Sequence, residues 1–303
     1  MKVLLIDADS HNGFPNLALM KLSAWHKSQN NKVDFIKGIP TTRPLQTYDK
    51  VMISCIFPQN RERVLNYASQ FENVKIGGSG YDYNIVLDHD IEHILPDYSL
   101  YGLDYSLGFT SRGCIRNCGF CVVPEKEGFI RDNAPISEFI HVEHKKVILL
   151  DNNFGASPKW KENLDFLIDH NLKVNFNQGL DIRLMTDEFA TYLSQVKYYT
   201  NSFKTRSLHF AFDDIRLVKE IKSGIAKLVS VGIKPDHLMF YVLVGYNSTF
   251  EQDLKRIMML IDLGVHPYVM LYNQTKEPRL RKLARWVNRM YYQFIEWKEF
   301  EGV

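Results

Sequence analysis

The chain has 303 residues, 45% of them apolar, and its 37 Lys and Arg against 35 Asp and Glu leave a net charge of +2. That excludes a disordered chain, and the near balance of charge leaves no broad basic field of the kind that coats nucleic acid. Four cysteines are too few for a disulfide-stapled scaffold, no apolar run approaches the roughly 18–20 residues of a membrane span, and the apolar run at 3–6 falls short of a signal-peptide core of about 7–15. The expectation is a soluble cytoplasmic protein with no membrane partner, whose thiols stay reduced and available as ligands.

Residues 2–8 read as a buried strand opening onto a loop. A helix is expected over 16–28, where Leu17, Met20, Leu22 and Trp25 recur at near-helical spacing. Residues 33–36 and 51–56 are further apolar runs. Residues 61–71 are helical, with Val64, Leu65, Ala68 and Phe71 on one face, and Lys75-Ile76 runs into the loop Gly77-Gly78-Ser79-Gly80. Apolar strands alternating with helices indicate a parallel sheet, so 1–95 is expected to be a doubly wound, Rossmann-like α/β domain. A second alternating series begins near Tyr105, with strands expected over 105–110, 146–150, 174–177, 207–212, 238–244 and 265–271 and helices over 159–170, 188–195, 217–231 and 249–263. Six such units are too few for a closed eight-strand barrel of roughly 250 residues. Residues 96–275 are therefore expected to form a partial, six-strand (β/α)6 TIM-like barrel. From 276 to 303, Leu280, Leu283, Val287, Met290, Phe294 and Trp297 step by three and four, predicting one amphipathic C-terminal helix. It is basic, with six Lys or Arg and one Glu between Lys276 and Arg289.

Three of the four cysteines fall in eight residues, Cys114-Ile-Arg-Asn-Cys118-Gly-Phe-Cys121. Three soft thiolates on one short loop suit three corners of a cubane iron–sulfur cluster, leaving the fourth iron open. A zinc site would need a fourth ligand, and His141 and His144, the nearest histidines, lie about 20 residues on. The CxxxCxxC loop, with aromatic Phe120 before its third cysteine and Gly108-Phe109-Thr110-Ser111-Arg112-Gly113 leading into it, resembles the radical S-adenosylmethionine (SAM) superfamily, as does its place after the first strand of a six-strand series. The resemblance covers about 100 to 275. It implies a [4Fe-4S] cluster on Cys114, Cys118 and Cys121 whose open iron is chelated by SAM. It further implies reductive cleavage of SAM to a 5′-deoxyadenosyl radical that abstracts a hydrogen atom, with a low-potential flavodoxin or ferredoxin as electron donor.

In that superfamily SAM lies across the carboxyl ends of the barrel strands, so polar residues there are candidates for holding it. These are Asp151, Asn152 and Asn153 after the second strand; Gln178 and Arg183 after the third, Arg183 being able to grip a carboxylate bidentately or to pair with Asp181; and Asp213, with Asp214, after the fourth, while Gly245 after the fifth would let adenine approach the backbone. Tyr272 and Asn273, after the sixth, would face substrate. A doubly wound domain before such a barrel resembles the cobalamin-dependent members. Here, however, the Asp9-Ser10-His11-Asn12-Gly13 loop has its glycine one position early. This broken motif weighs against bound cobalamin and for a degenerate domain, although Gly77-Gly78 sits where that fold contacts the nucleotide tail. Cys55 reads as a small buried residue and His141-Val-Glu-His144 as a solvated surface. The basic C-terminal helix would suit a phosphate-bearing substrate or simply cap the barrel; a role in nucleic-acid binding would rest on Arg281, Lys282 and Arg285. The substrate itself is not legible. The functional expectation is a radical SAM enzyme, with methyl transfer among the reactions the resemblance admits; the alternative is a non-catalytic iron–sulfur sensor or electron carrier.

Overall fold

The computed structural model describes residues 1–10, 13–42 and 44–302. They form an α/β chain with parallel sheets in two compact units: Met1–Gly108 with Ala134–His144, and Phe109–Asn133 with Lys145–Val303.

In the first unit, β1 (Lys2–Asp7), β2 (Lys32–Lys37), β3 (Lys50–Ser54) and β4 (Val74–Gly77) form a parallel sheet in the order β2-β1-β3-β4. Helix α1 (Leu17–Ser28) connects β1 to β2, and α2 (Arg61–Ala68) connects β3 to β4. Alternate side chains of β1 point to opposite faces. Val3 and Leu5 pack with Leu19, Leu22 and Ile91, whereas Leu4 and Ile6 pack with Val51, Ile53, Val64 and Tyr67. Apolar residues on both faces of the strands thus dictate a sheet covered on both sides, as the doubly wound expectation required. Asn16 caps α1, its side chain accepting from the Leu19 amide. The short β5 (Ser106–Gly108) ends this unit, with Gly108 pressed against the Phe139 ring, where a Cβ would come within 2.5 Å.

The second unit opens with a two-stranded antiparallel ribbon, β6 (Ser111–Arg112) and β7 (Arg131–Asp132), which closes the loop carrying the three clustered cysteines. Two parallel sheets follow. In one, β8 (Lys146–Leu149), β9 (Lys173–Phe176) and β10 (Lys197–Tyr198) run in the order β10-β9-β8; in the other, β11 (Leu208–Ala211), β12 (Leu238–Val244) and β13 (His266–Leu271) lie side by side. The intervening helices α3 (Trp160–Asp169), α4 (Asp187–Gln195), α5 (Val218–Ser230) and α6 (Phe250–Asp262) fall where the sequence periodicity put them. The continuous six-strand wall does not form. The two-residue β10, too short to show a period, occupies the edge of β9, and β9 lies near β11 without a ladder between them, the Leu180 amide beyond β9 donating to the His209 carbonyl at 2.7 Å.

The expected single C-terminal helix is likewise corrected to two. Helix α7 (Pro278–Asn288) starts at the Glu277 cap and stops at Met290, which adopts a left-handed φ of 58°; α8 (Trp297–Gly302) follows. Leu280, Leu283, Val287 and Trp297 of the stripe are buried, but Met290 and Phe294 are exposed. The break lies beside Asn288, whose side chain bonds both backbone groups of Val269 on β13, at 2.8 and 2.9 Å. Part of the basic face is engaged within the chain: Arg279 pairs with Glu301 and stacks on Phe250, and Lys282 donates to the Glu301 carbonyl. No helix among the described residues is long and apolar enough to cross a membrane.

Candidate functional site: the cysteine loop and the strand ends around it

The cysteine loop is fixed first at its base. The Asp151 carboxylate, just beyond β8, is fully buried and accepts four hydrogen bonds: from the Thr110 amide (3.1 Å) and hydroxyl (2.6 Å), and from the Ser111 amide (2.5 Å) and hydroxyl (2.7 Å). Burial pushes its pKa up against these four bonds. Asn152 accepts from the Gly113 amide at 2.9 Å. Gly113 takes a φ of +82°, and a Cβ there would run into the Phe129 carbonyl, so only glycine turns the chain into the loop.

Within the loop, the Cys114 sulfur receives two N–H donors, the Arg116 amide at 3.3 Å and the Asn153 side-chain amide at 3.4 Å. Cys121 closes a turn onto the Cys118 carbonyl at 2.9 Å and is exposed. Burial raises the Cys118 thiol pKa; Arg183 acts against this, while Cys121, Cys114 and Asp213 add to it. Gly119 lies against Tyr246, whose hydroxyl would be 2.5 Å from a Cβ, and Phe120 meets the Tyr246 ring edge-on at 5.4 Å. The Tyr272 ring meets Tyr246 at a tilt, 4.7 Å between centroids.

The donor set fits a cubane better than a single ion. Among the described residues no three His, Cys, Asp or Glu side chains gather closely enough to hold one metal, as zinc would require. In a cubane each thiolate bonds a different iron, so the sulfurs need not share a centre, and N–H donors on a ligand sulfur are a normal part of such sites. The Asn153 side chain also leaves its buried Oδ1 without a donor. A buried, unanswered acceptor beside the Cys114 sulfur is unfavourable unless something fills it.

The remaining candidates divide. Asp213 is partly buried at the end of β11 and accepts from the Leu243 amide at 2.9 Å; burial raises its pKa. Its place is set by Arg256, fully buried, which donates to the carbonyls of Phe212 and Leu243 and pairs with Asp253 at 2.6 Å. Asp253 in turn accepts from the Gly245 amide at 3.1 Å. Gly245 has a φ of +77° and lies against Leu280, so the turn alone accounts for it. Gln178 is exposed at the end of β9. Arg183 grips both oxygens of Asp181, at 2.6 and 2.9 Å. Sequence reasoning missed Arg116, Asp181 as its partner, and Tyr246 as an aromatic wall.

In the first unit, His11 lies outside the described residues. Asp9 of the same loop is spent on the Ile56 amide (2.5 Å) and the Asn60 side chain (2.7 Å). Gly78 and Gly80 press on the backbone of Cys55 and Phe57, so close internal packing already requires them. Cys55 is buried, its thiol pKa pushed up to about 11 by burial. His144 bonds Ser106 at 2.9 Å, and the His141 ring lies 4.9 Å from it.

No family model and no curated protein matches the chain. Among solved structures it is similar to an apo cobalamin-dependent S-adenosylmethionine radical enzyme, OxsB, at 13% identity and a TM-score of 0.42, over 89% of this chain and 49% of that one. The chain thus spans about half the length of that protein. So distant a likeness decides neither fold nor chemistry.

Proposed function

We propose that the chain is a radical SAM enzyme. The observation that carries this reading is the CxxxCxxC loop itself, clamped at its base by Asp151 and Asn152, with two N–H donors on the Cys114 sulfur and the unanswered Asn153 Oδ1 beside it. In this reading Cys114, Cys118 and Cys121 hold a [4Fe-4S] cluster with one iron left for SAM. When bound, the cluster supplies the electron that splits SAM into methionine and a 5′-deoxyadenosyl radical.

The protein's own part is binding and orientation. Asn153 Oδ1 offers an acceptor to the ammonium of the ligand, and Asp213 and Gln178 offer polar groups to its ribose hydroxyls. Phe120, Tyr246 and Tyr272 form an aromatic cluster beside the loop, a surface on which a flat ligand ring can pack. Arg183 grips Asp181 through Nε and Nη2 and offers the donors of Nη1 to a ligand carboxylate. The substrate is a C–H bond in an unidentified molecule, and methyl transfer is one outcome. The doubly wound unit packs its own glycines and Asp9 internally, which supports the degenerate-domain reading over bound cobalamin. A flavodoxin or ferredoxin is the expected reductant.

The exposure of Cys121 favours a second reading, a non-catalytic electron carrier, since an exposed ligand exchanges electrons readily with a partner. One experiment separates the two. The chain is reconstituted anaerobically with iron and sulfide, reduced with dithionite, given SAM and assayed for 5′-deoxyadenosine by mass spectrometry. Product from the parent and none from Cys118→Ala is the expected result. A cluster that forms but neither binds nor cleaves SAM would favour the carrier.

A further inference from the structure

The tetrapeptide Asp-Ile-Arg-Leu occurs twice, at 181–184 and 214–217, after β9 and after β11. Both copies fold alike. The aspartate caps a single 3-10 turn, accepting from the amide of the arginine two residues on, at 3.1 Å in the first copy and 2.9 Å in the second. That arginine then curls back to grip the same carboxylate, Arg183 on Asp181 and Arg216 on Asp214. The turn is therefore a self-sufficient local device that needs no third partner.

The two copies differ in what surrounds them. The Asp214 side chain is 34% exposed and that of Arg216 85% exposed, and among the described residues they bond only each other. The Asp181 side chain is 7% exposed and takes an additional partner, Arg116 Nε at 3.0 Å. Arg116 lies between Cys114 and Cys118, and its own amide donates to the Cys114 sulfur. The surplus acceptor capacity of an otherwise ordinary turn is thus directed at a side chain in the middle of the cysteine loop. A carboxylate with two guanidinium partners makes stronger, charge-assisted bonds than neutral groups do.

We propose that Asp181 is the positioning residue that locks the cysteine loop through Arg116, holding the three thiols in the arrangement that accepts and keeps a cluster. The inference rests on the radical SAM reading for what the loop holds, but the lock itself concerns only this chain's residues. Asp214 is the internal control, the same turn without the lock.

The test uses the full chain and three single variants, Asp181→Ala, Arg116→Met and Asp214→Ala, with the double variant Asp181→Ala/Arg116→Met, each first checked for native circular dichroism. After reconstitution with iron and sulfide, release of iron to a ferrous chelator is timed. Asp181→Ala and Arg116→Met should each lose iron about tenfold faster than the parent, as loss of a charged hydrogen bond of about 1.5 kcal/mol implies. The double variant should be no faster than either single, and Asp214→Ala should match the parent. Equal retention in Asp181→Ala and Asp214→Ala would overturn the proposal, and so would effects of Asp181→Ala and Arg116→Met that simply multiply. Should the parent take up no iron, the functional reading fails but the lock is still read from maleimide labelling of Cys118 in the reduced, metal-free chain. Faster labelling in Asp181→Ala than in Asp214→Ala supports the lock, and equal rates refute it. Arg116 is one-third exposed, so Arg116→Met keeps the test open even if Asp181→Ala misfolds.

Discussion

Asp151 gathers four donors from Thr110 and Ser111 onto one buried carboxylate. The Asp151→Ala variant leaves two backbone amides and two hydroxyls without that partner. It should cost about 2–4 kcal/mol, seen as a lowered urea midpoint, and should release the base of the cysteine loop. At this scale the sequence is informative about identity and poor about role. The thiols of Cys114, Cys118 and Cys121 are legible because their spacing is a ligand pattern in itself. Asp151 was equally visible as a polar residue at a strand end, but which group it faces depends on Thr110 and Ser111, forty residues away in the chain. Arg183 illustrates the same limit: a fork that fits any carboxylate is found gripping the nearest one, Asp181. Arg116 and Tyr246 carry no local signal, since an arginine or a tyrosine in a loop is ordinary until its partner is known.

Between elements, the ends of β11 and β12 and the helix α6 are joined by the Arg256–Asp253 pair, both side chains essentially fully buried. Removing one partner of a buried pair leaves the other charged and unanswered, so Asp253→Ala should destabilise by about 3–5 kcal/mol. Replacing both, Asp253→Leu with Arg256→Met, should be much milder, and urea unfolding of the single and double variants measures the difference. Asp213 and Gly245 both hang on this joint, Gly245 through its amide bond to Asp253 and Asp213 through the Leu243 amide, next to the Leu243 carbonyl that Arg256 holds. Elements were the most legible level. The helices over 160–169, 187–195, 218–230 and 250–262 carry clean apolar stripes, and their strands carry apolar runs. Two things escaped. The strand β10 is only two residues long, below any period. The C-terminal stripe is continuous at helical spacing, yet Met290 interrupts it in a left-handed turn, because a tertiary demand on Asn288 outweighs the pattern.

Across the whole molecule, the chain responds to acid through carboxylates that the fold has committed. Asp97 is opposed by burial but is held by Lys27 and Ser23, each at 2.6 Å, and by Ser99 at 2.5 Å, and these bonds win, placing its pKa below the ordinary 3.8. A carboxylate with a depressed folded pKa contributes stability that is complete above its unfolded value and is lost as pH falls through the folded one. Asp97→Asn should therefore weaken the protein at neutral pH and flatten its loss of stability below about pH 4, followed by circular dichroism on acid titration. The doubly wound order of the first unit could be anticipated from apolar runs on both faces of its strands. The division of the second unit into two sheets could not, since edge pairing is decided by loops that carry no periodicity.

The contact of Asn288 with Val269 has a further meaning at this scale. Its amide supplies one donor and one acceptor to the strand β13 at the spacing a neighbouring strand would use. An open strand edge is a template on which other chains can add, and this side chain occupies it in place of a fourteenth strand. A chain shortened before α7 would leave the Val269 amide and carbonyl without these partners, an opening in the rim at which another strand can add.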